Sequence, residues 1–434
     1  MYAGRVRSFS GDSLLPEAHL TSFASTYLSS LRRPLAPGLQ ELHIWELEEH
    51  EWTTLLSVCS TTLKFVHLSG DDKDEGGRMI GGFLHSLECD GSHSLEGLSI
   101  HGAHHNHVDL ITKFHMLQDV ELSFNGETTG ALLIEGFSKL SALNHLSKLR
   151  IEWNTTHEDH LLVYPSLPPP SVSFRSLHSI DIVVPAYMAL LLFQCSRVNT
   201  LKRIILHCYS PPQHQTTSLK RIIDKFGLAA PSLEEVILGF NIDQETFDAV
   251  LDLTLRFRLR TLKTTWAGFE IDDAYIHKAC LSGCFSHLEV LSLVTYSAGY
   301  CPTFQVLRSL AIHCRHLKDL DLSFTIEEEH LPLLIKEMEN EHSLSHCLKS
   351  LIIRPRIDSE NTKFLANGES IPIVSQYLDS LFPSLARCDT VGPIQYLTFG
   401  KGIRLTLKAL QHRSAMDSRR LVGSQVKNFR LEEL

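Results

Sequence analysis

Thirteen segments of this chain share one pattern: an apolar residue, two variable positions, an apolar residue, one variable position and a further apolar residue. Leu117-Gln118-Asp119-Val120-Glu121-Leu122, Leu233-Glu234-Glu235-Val236-Ile237-Leu238 and Leu317-Lys318-Asp319-Leu320-Asp321-Leu322 are three of them. The units open at Leu39, Leu63, Leu95, Leu117, Leu146, Leu177, Leu201, Leu233, Leu259, Leu288, Leu317, Leu348 and Leu385. Their spacing runs from 22 residues (Leu95 to Leu117) to 37 (Leu348 to Leu385). Self-similarity at such a period signals stacked repeats, here of the leucine-rich type. One repeat cannot bury its own apolar face, so neighbours must cover one another and the core grows lengthwise. The expected fold is α/β: a curved horseshoe with a parallel concave sheet and a helical or irregular convex side.

Within a unit, period-2 pleating turns the apolar positions four and six inward and positions five and seven outward. Parallel strands cannot be joined by tight hairpins, which accounts for the long intervals. Helices returning from one strand to the next are expected near Asp243–Leu255, Thr303–Ile312 and Glu329–Glu339, where apolar residues recur at helical spacing. Val6-Arg7-Ser8-Phe9 resembles a degenerate strand, and the stretch from Leu14 to Leu31 has a helical pattern with Pro16 near its start. These features divide the 434 residues into a degenerate first repeat or cap (1–38), the array (39–400) and a C-terminal extension, partly disordered (401–434). The array begins almost at Met1 with no evident cap. An uncovered solenoid end exposes apolar surface, so an upstream segment or a covering partner is expected.

A formal net charge of −10 opposes a nucleic-acid partner, which would require a basic stripe. The mostly apolar run Val183–Cys195 is interrupted by Pro185 and too short to span a bilayer, and no secretory signal is visible. Ten scattered cysteines fit reduced thiols in cytoplasm or nucleus. Chemistry is scarce. Gly400-Lys401-Gly402 lacks the rest of a phosphate-binding loop, and His157-Glu158-Asp159-His160 is one residue too short for a zinc-protease helix. His101, His104, His105 and His107 form a loop cluster, and Cys280, Cys284 and His277 have metal-ligand types, but polar-loop and core-filling roles account for them. No cofactor, metal or catalytic residue is expected, and the chain is read as a non-enzyme; a metal-binding or hydrolytic protein is a remote alternative.

A partner protein on the concave face is the expected ligand. His43 and His67 hold equivalent positions on adjacent strands, about 5 Å apart, with Trp45 beside them. Val183, Ile205 and Ile237 are apolar outward residues on three successive strands, a pattern typical of interaction surfaces unless a loop covers them. His207 and Arg354 complete the candidate contact set. Asn125, Asn154 and Asn241 at position nine are expected to form a structural ladder, their amides bonding backbone that turns out of the strand. Aromatic residues at position eight (Phe124, Trp153, Phe240, Trp266, Phe324) are expected to seal the strand-to-turn edge.

Two stretches carry a resemblance to a known family. Tyr2-Ala3-Gly4-Arg5-Val6-Arg7-Ser8-Phe9 looks like the first strand after an F-box, and Tyr377-Leu378-Asp379-Ser380-Leu381-Phe382-Pro383-Ser384-Leu385 looks like a final repeat. With the repeats, the chain resembles the leucine-rich-repeat region of divergent, fungal-type F-box/LRR proteins. The resemblance implies a substrate-recognition part of a ubiquitin ligase (SCF complex) receptor. The family's F-box docks on a cullin-ligase adaptor. Here Leu14-Leu15-Pro16-Glu17 is similar to the start of an F-box but leads into the first repeat within about twenty residues, too few for three helices. The expected function is thus a protein-binding module, either part of such a receptor or a remnant lacking the F-box, with adaptor binding expected if an F-box lies upstream. The alternative is a stand-alone scaffold or a GTPase-regulator-like interaction protein.

Overall fold

A computed structural model describes residues 7–11, 38–45, 61–70, 74–89, 94–124, 130–153, 172–209, 215–239, 244–266, 271–295, 301–325, 328–339, 346–355, 370–391, 397–414 and 416. The chain forms two compact units, Met1–Leu233 and Glu234–Leu434.

In the first unit the strands are β1 (Ser8–Gly11), β2 (Glu41–Ile44), β3 (Phe65–Ser69), β4 (Gly97–Ala103), β5 (Asp119–Phe124), β6 (Lys148–Trp153), β7 (Val172–Ser173), β8 (Ser179–Pro185), β9 (Ser196–Arg197) and β10 (Arg203–Tyr209). All pair in parallel, in the order β1-β2-β3-β4-β5-β6-β8-β10, while β7 pairs β9 apart from that sheet. Helices α1 (Asp74–Cys89), α2 (His107–Ile111), α3 (Gly130–Leu140), α4 (Ala186–Cys195) and α5 (Gln215–Ala229) lie between them in sequence. The second unit holds β11 (Glu235–Gly239), α6 (Gln244–Arg256), β12 (Thr261–Trp266), α7 (Asp273–Leu281), β13 (Val290–Thr295), α8 (Val306–His313), β14 (Asp319–Phe324), α9 (Leu331–Glu339), β15 (Ser350–Pro355), α10 (Ser370–Leu381) and β16 (Arg387–Thr390). Its strands also pair in parallel in sequence order. A helix α11 follows over residues 397–414.

Each of the thirteen leucine units supplies one strand, and each opening leucine is at most 2% exposed. Inward pairs such as Leu42/Ile44, Val120/Leu122, Ile180/Ile182 and Leu351/Ile353 are buried behind them. At about 1.5–3 kcal/mol per buried aliphatic side chain, this repeated core dominates the stability of each unit. The three expected return helices correspond to α6, α8 and α9, the last preceded by a 3-10 turn at Glu328–His330. The degenerate strand before the first full unit is β1, in register with β2. The chain is therefore an α/β leucine-rich-repeat solenoid within each unit.

The seam between successive repeats is stitched at the start of each strand. The carbonyl at position two accepts two amides of the next repeat: Gln40 takes Lys64 and Phe65, and Glu289 takes Lys318 and Asp319. Hydroxyls just before the opening leucine add a second rung, Thr62 on Leu39, Ser94 on Leu63 and Thr200 on Leu177. Alternating charges at position two form a third, with Lys64 on Glu96 (2.6 Å) in the first unit and Arg260–Glu289–Lys318 (2.7 and 2.6 Å) in the second. Asn125, Asn154 and Asn241, the expected ladder, lie outside the described residues. At position eight Phe124, Trp153 and Phe324 are buried, as sealing rings require.

Candidate functional site

Period-2 pleating gives the outward face of the first unit three rows. Row three reads Glu41, Phe65, Gly97, Asp119, Lys148, Ser179, Arg203 across β2 to β10. Row five reads His43, His67, Ser99, Glu121, Arg150, Asp181, Ile205, and row seven, from β3 on, reads Ser69, His101, Ser123, Glu152, Val183, His207. Trp45 directly follows β2 on the same alternation.

At the β2–β4 end the rows make an aromatic cluster. The Trp45 ring lies 4.2 Å from that of His67 and 6.5 Å from that of His101. His67 also approaches His101 (5.1 Å) and stacks near His43 (6.0 Å). The small Ser69, on the strand between β2 and β4, leaves the space in which Trp45 and His101 converge. Phe65 stands over Gly97, where an added Cβ would sit 2.5 Å from the ring. A bulge at Gly102, which adopts φ of 80°, follows His101 and ends the regular register with β5. Trp45 is 40% exposed and Phe65 41%, so two large rings face solvent on one sheet. Beneath them the pKa of His67 is lowered, first by burial and then by the nearby His101 and His43, with Glu121 pulling the other way. His67 is thus neutral at pH 7. Its Nε2 is buried with no hydrogen-bond partner among the described residues.

Along β5 to β8 the face turns charged. Arg150 approaches Glu121 (3.2 Å), Asp181 (3.6 Å) and Glu152 (3.9 Å), and the Ser99 hydroxyl donates to Glu121 (3.2 Å). Arg150 thus lies within 4 Å of all three carboxylates. The pKa of Asp181 is raised, mainly by burial, although Arg150 and His207 act in the opposite direction.

The predicted contact residues fall as follows. His43, Trp45 and His67 come together. Val183 and Ile205 are half-buried and face outward, but the register sets Val183 beside Glu152 and His207, and Ile205 beside Asp181. They are diagonal neighbours in a polar surround rather than an apolar strip, and His207 is exposed. Ile237 belongs to the second unit, paired with Lys263. Arg354, also in that unit, is engaged internally: its Nε and Nη2 donate to the two oxygens of Asp321 at 2.7 and 2.9 Å. Sequence reasoning missed Phe65, because it scored positions five and seven and left position three unread.

Of the loop histidines, His107 has a structural role. His107 is buried, its Nδ1 accepts the His104 amide (3.1 Å) and its Nε2–H donates to the Gly77 carbonyl (2.6 Å). Cys280 faces Cys314 in the core (Sγ–Sγ 3.9 Å), while His277 pairs with Ser309 (2.8 Å). Among the described residues no group of three His, Cys, Asp or Glu could hold a metal ion. A cavity of about 470 Å³ along α7, α8 and α9 is lined by Asp273, His277, Arg308, Ser309, His313 and Glu337 among others. Among the described residues no carboxylate bonds the His277 imidazole of the Ser309–His277 pair, and Asp273 accepts the Thr303 amide and hydroxyl, each at 2.6 Å. Among the described residues no helix is long and apolar enough to cross a membrane.

No protein-family model matches the chain, and no curated protein matches it. Solved structures similar to it include a structural-genomics protein from Bacteroides fragilis, with a TM-score of 0.39, 14% identity, and coverage of 62% of this chain and 76% of that one. The yeast Rad7–Elc1 complex also matches, with a TM-score of 0.39, 15% identity, and coverage of 80% of this chain and 75% of that one. At these values neither likeness carries an argument about function.

Proposed function

We propose that this protein is a non-catalytic recognition module that binds a protein partner on the outward face of its first-unit sheet. The observation that carries this is the pair of solvent-facing rings, Trp45 and Phe65, set on rigid paired strands and flanked by half-buried charges. Large aromatic side chains on a rigid platform are the groups that most often dominate protein-binding energy. In its finer form the reading follows the resemblance to F-box/LRR proteins: the repeats hold a substrate for ubiquitin ligation.

A photoreactive phenylalanine analogue at position 65 tests the coarse reading, with Leu228 on α5, 74% exposed, as the control position. Cross-linking to a cellular protein from position 65 and not from 228 supports it; cross-linking from 228 alone overturns it. Recovery of a cullin-ligase adaptor with the full chain supports the finer reading, whereas a reproducible cross-linked partner without the adaptor leaves a stand-alone scaffold.

A further inference from the structure

The second unit ends on a helix whose charge opposes that of the chain. Helix α11, residues 397–414, contains Lys401, Arg404, Lys408 and Arg413 and no aspartate or glutamate, in a chain of net charge −10. Its inner face is fixed. Phe399, Ile403 and Leu407 are buried, and Gly400 lies against Thr390 of β16. Gly402 approaches α10 so closely that an added Cβ would sit 2.6 Å from Ile371 Cδ1. The Gln411 side-chain amide donates to the carbonyls of Pro383 and Leu385. Packing on that side dictates what the helix presents on the other. At about 100° per residue, Leu397, Lys401, Leu405 and Lys408 fall within about 80° of one another, with Arg413 beside them. All five are exposed, Leu397 by 50% and Leu405 by 59%. Among the described residues the only ion pair of α11 is that of Arg404 with Asp389, which Arg387 also engages; Lys401, Lys408 and Arg413 have no ionic partner there.

We infer that the outward face of α11 takes an acidic segment of a partner protein, its carboxylates over Lys401, Lys408 and Arg413 and its aliphatic side chains on Leu397 and Leu405. This surface lies in the second unit and does not depend on the first-unit reading above. From Lys401 to Arg413 the helix rises about 18 Å, the length of about six extended residues or about twelve helical ones. Cations carried on a packed helix already stand in a fixed pattern, so a partner of opposite pattern meets them with little further ordering of the backbone. The leucines favour protein over nucleic acid: a phosphate backbone offers them no apolar surface, and a long polyanion would meet the negative charge on the rest of the chain. Protein is also favoured over a lipid surface, because Phe399, Ile403 and Leu407 are committed to the core and α11 keeps only two well-exposed leucines to insert.

The test uses the full chain and a fluorescein-labelled twelve-residue peptide of glutamates with leucine at every fourth position, read by fluorescence anisotropy. An oligothymidylate of twelve nucleotides, read in the same way, and phosphatidylserine vesicles, read by co-sedimentation, are the competing probes. Saturable binding of the peptide is expected, weakened about tenfold in a Lys401→Gln/Lys408→Gln variant and severalfold by Leu405→Gln. Because any cation lost from the chain weakens the pull on a polyanion, Arg256→Gln/Lys278→Gln, exposed residues of α6 and α7, serves as the charge-matched control and should change nothing. Should the Lys401→Gln/Lys408→Gln variant be misfolded by circular dichroism, Lys408→Gln alone replaces it. Absence of peptide binding, or equal loss in the control, overturns the inference. So does tighter binding of the oligothymidylate or the vesicles that the variant abolishes, which would make the face a nucleic-acid or membrane site. The probes report on α11, so their failure leaves the first-unit reading to the cross-link at position 65.

Discussion

Acidification should loosen the corner where α1 meets α2, because His107 resists protonation in the folded chain. Its Nδ1 already accepts the His104 amide and its Nε2–H already donates to Gly77, so protonation would set one N–H against another inside a buried site. The pKa of His107 is accordingly lowered to about 4, chiefly by burial, with His104 and His105 adding to the shift and the Gly77 carbonyl opposing it. An unfolded histidine titrates near 6.5. Between these values the unfolded chain binds the proton and the folded chain does not, so stability is complete above 6.5 and is lost as pH falls. At about 1.4 kcal/mol per pKa unit, the loss from this residue is about 2 kcal/mol at pH 5 and about 3 kcal/mol below pH 4.

His67, His105 and His346 also have lowered values and push in the same direction, so the total acid loss does not isolate His107. A His107→Gln variant does. It should be less stable at pH 7.5, having lost one of the two backbone bonds, yet lose about 2 kcal/mol less than the parent chain between pH 7.5 and pH 5. Urea denaturation followed by circular dichroism at both pH values gives the difference. Histidine-selective carbon labelling gives the titration directly, and the His107 resonance should stay in its neutral position through pH 5. A resonance titrating near 6.5 in the folded protein, or equal acid sensitivity in parent and variant, would refute the reasoning.

Three further outcomes are expected. Gly97→Ala drives a Cβ into the Phe65 ring, whose exposed edge can swing aside; the unfolding midpoint should change little, while partner cross-linking from position 65 falls severalfold because the ring is displaced. Gly400→Ala places its Cβ against the Thr390 hydroxyl and 2.9 Å from Thr390 Cβ, which sits in the core of the last strand; α11 should be destabilised by about 2 kcal/mol, seen as faster amide exchange over residues 397–414. Arg354→Ala leaves the Asp321 carboxylate without its two-pronged partner and should cost about 2 kcal/mol of stability by urea denaturation. Unchanged stability with lost partner binding would instead return Arg354 to the role of a contact residue.

What could and could not be read ahead of the structure follows the geometry of the repeat. Positions one, four and six obey a rule that the residue types themselves enforce, since a strand covered by its neighbours must present aliphatic residues there. Leu39 through Leu385 therefore marked the thirteen strands of the leucine units, and the degenerate strand at Ser8–Gly11 was legible from its place one repeat earlier, whereas the short pair β7 and β9 belongs to no unit and was not read. Return helices were legible to within a few residues for the same reason. The outward face has no such rule. Whether Trp45 reaches His101 depends on the smallness of Ser69 on the strand between, and whether Phe65 lies flat depends on Gly97 beside it. Those are contacts between different repeats, one strand apart for Phe65 and Gly97 and two strands apart for Trp45 and His101, and no single unit's pattern contains them. Arg354 shows the same limit from the other side: an arginine at an outward position reads as an anchor until the neighbouring strand supplies Asp321. Val183 and Ile205 do not sit side by side, because a list of outward residues ignores which row each occupies: the register sets Asp181 beside Ile205 and His207 beside Val183. On a solenoid, then, function is written in two dimensions, along the strand and across it. The features that survive that second reading here are the Trp45–His67–His101 cluster and the carboxylates around Arg150, adjoining on one sheet face of one unit.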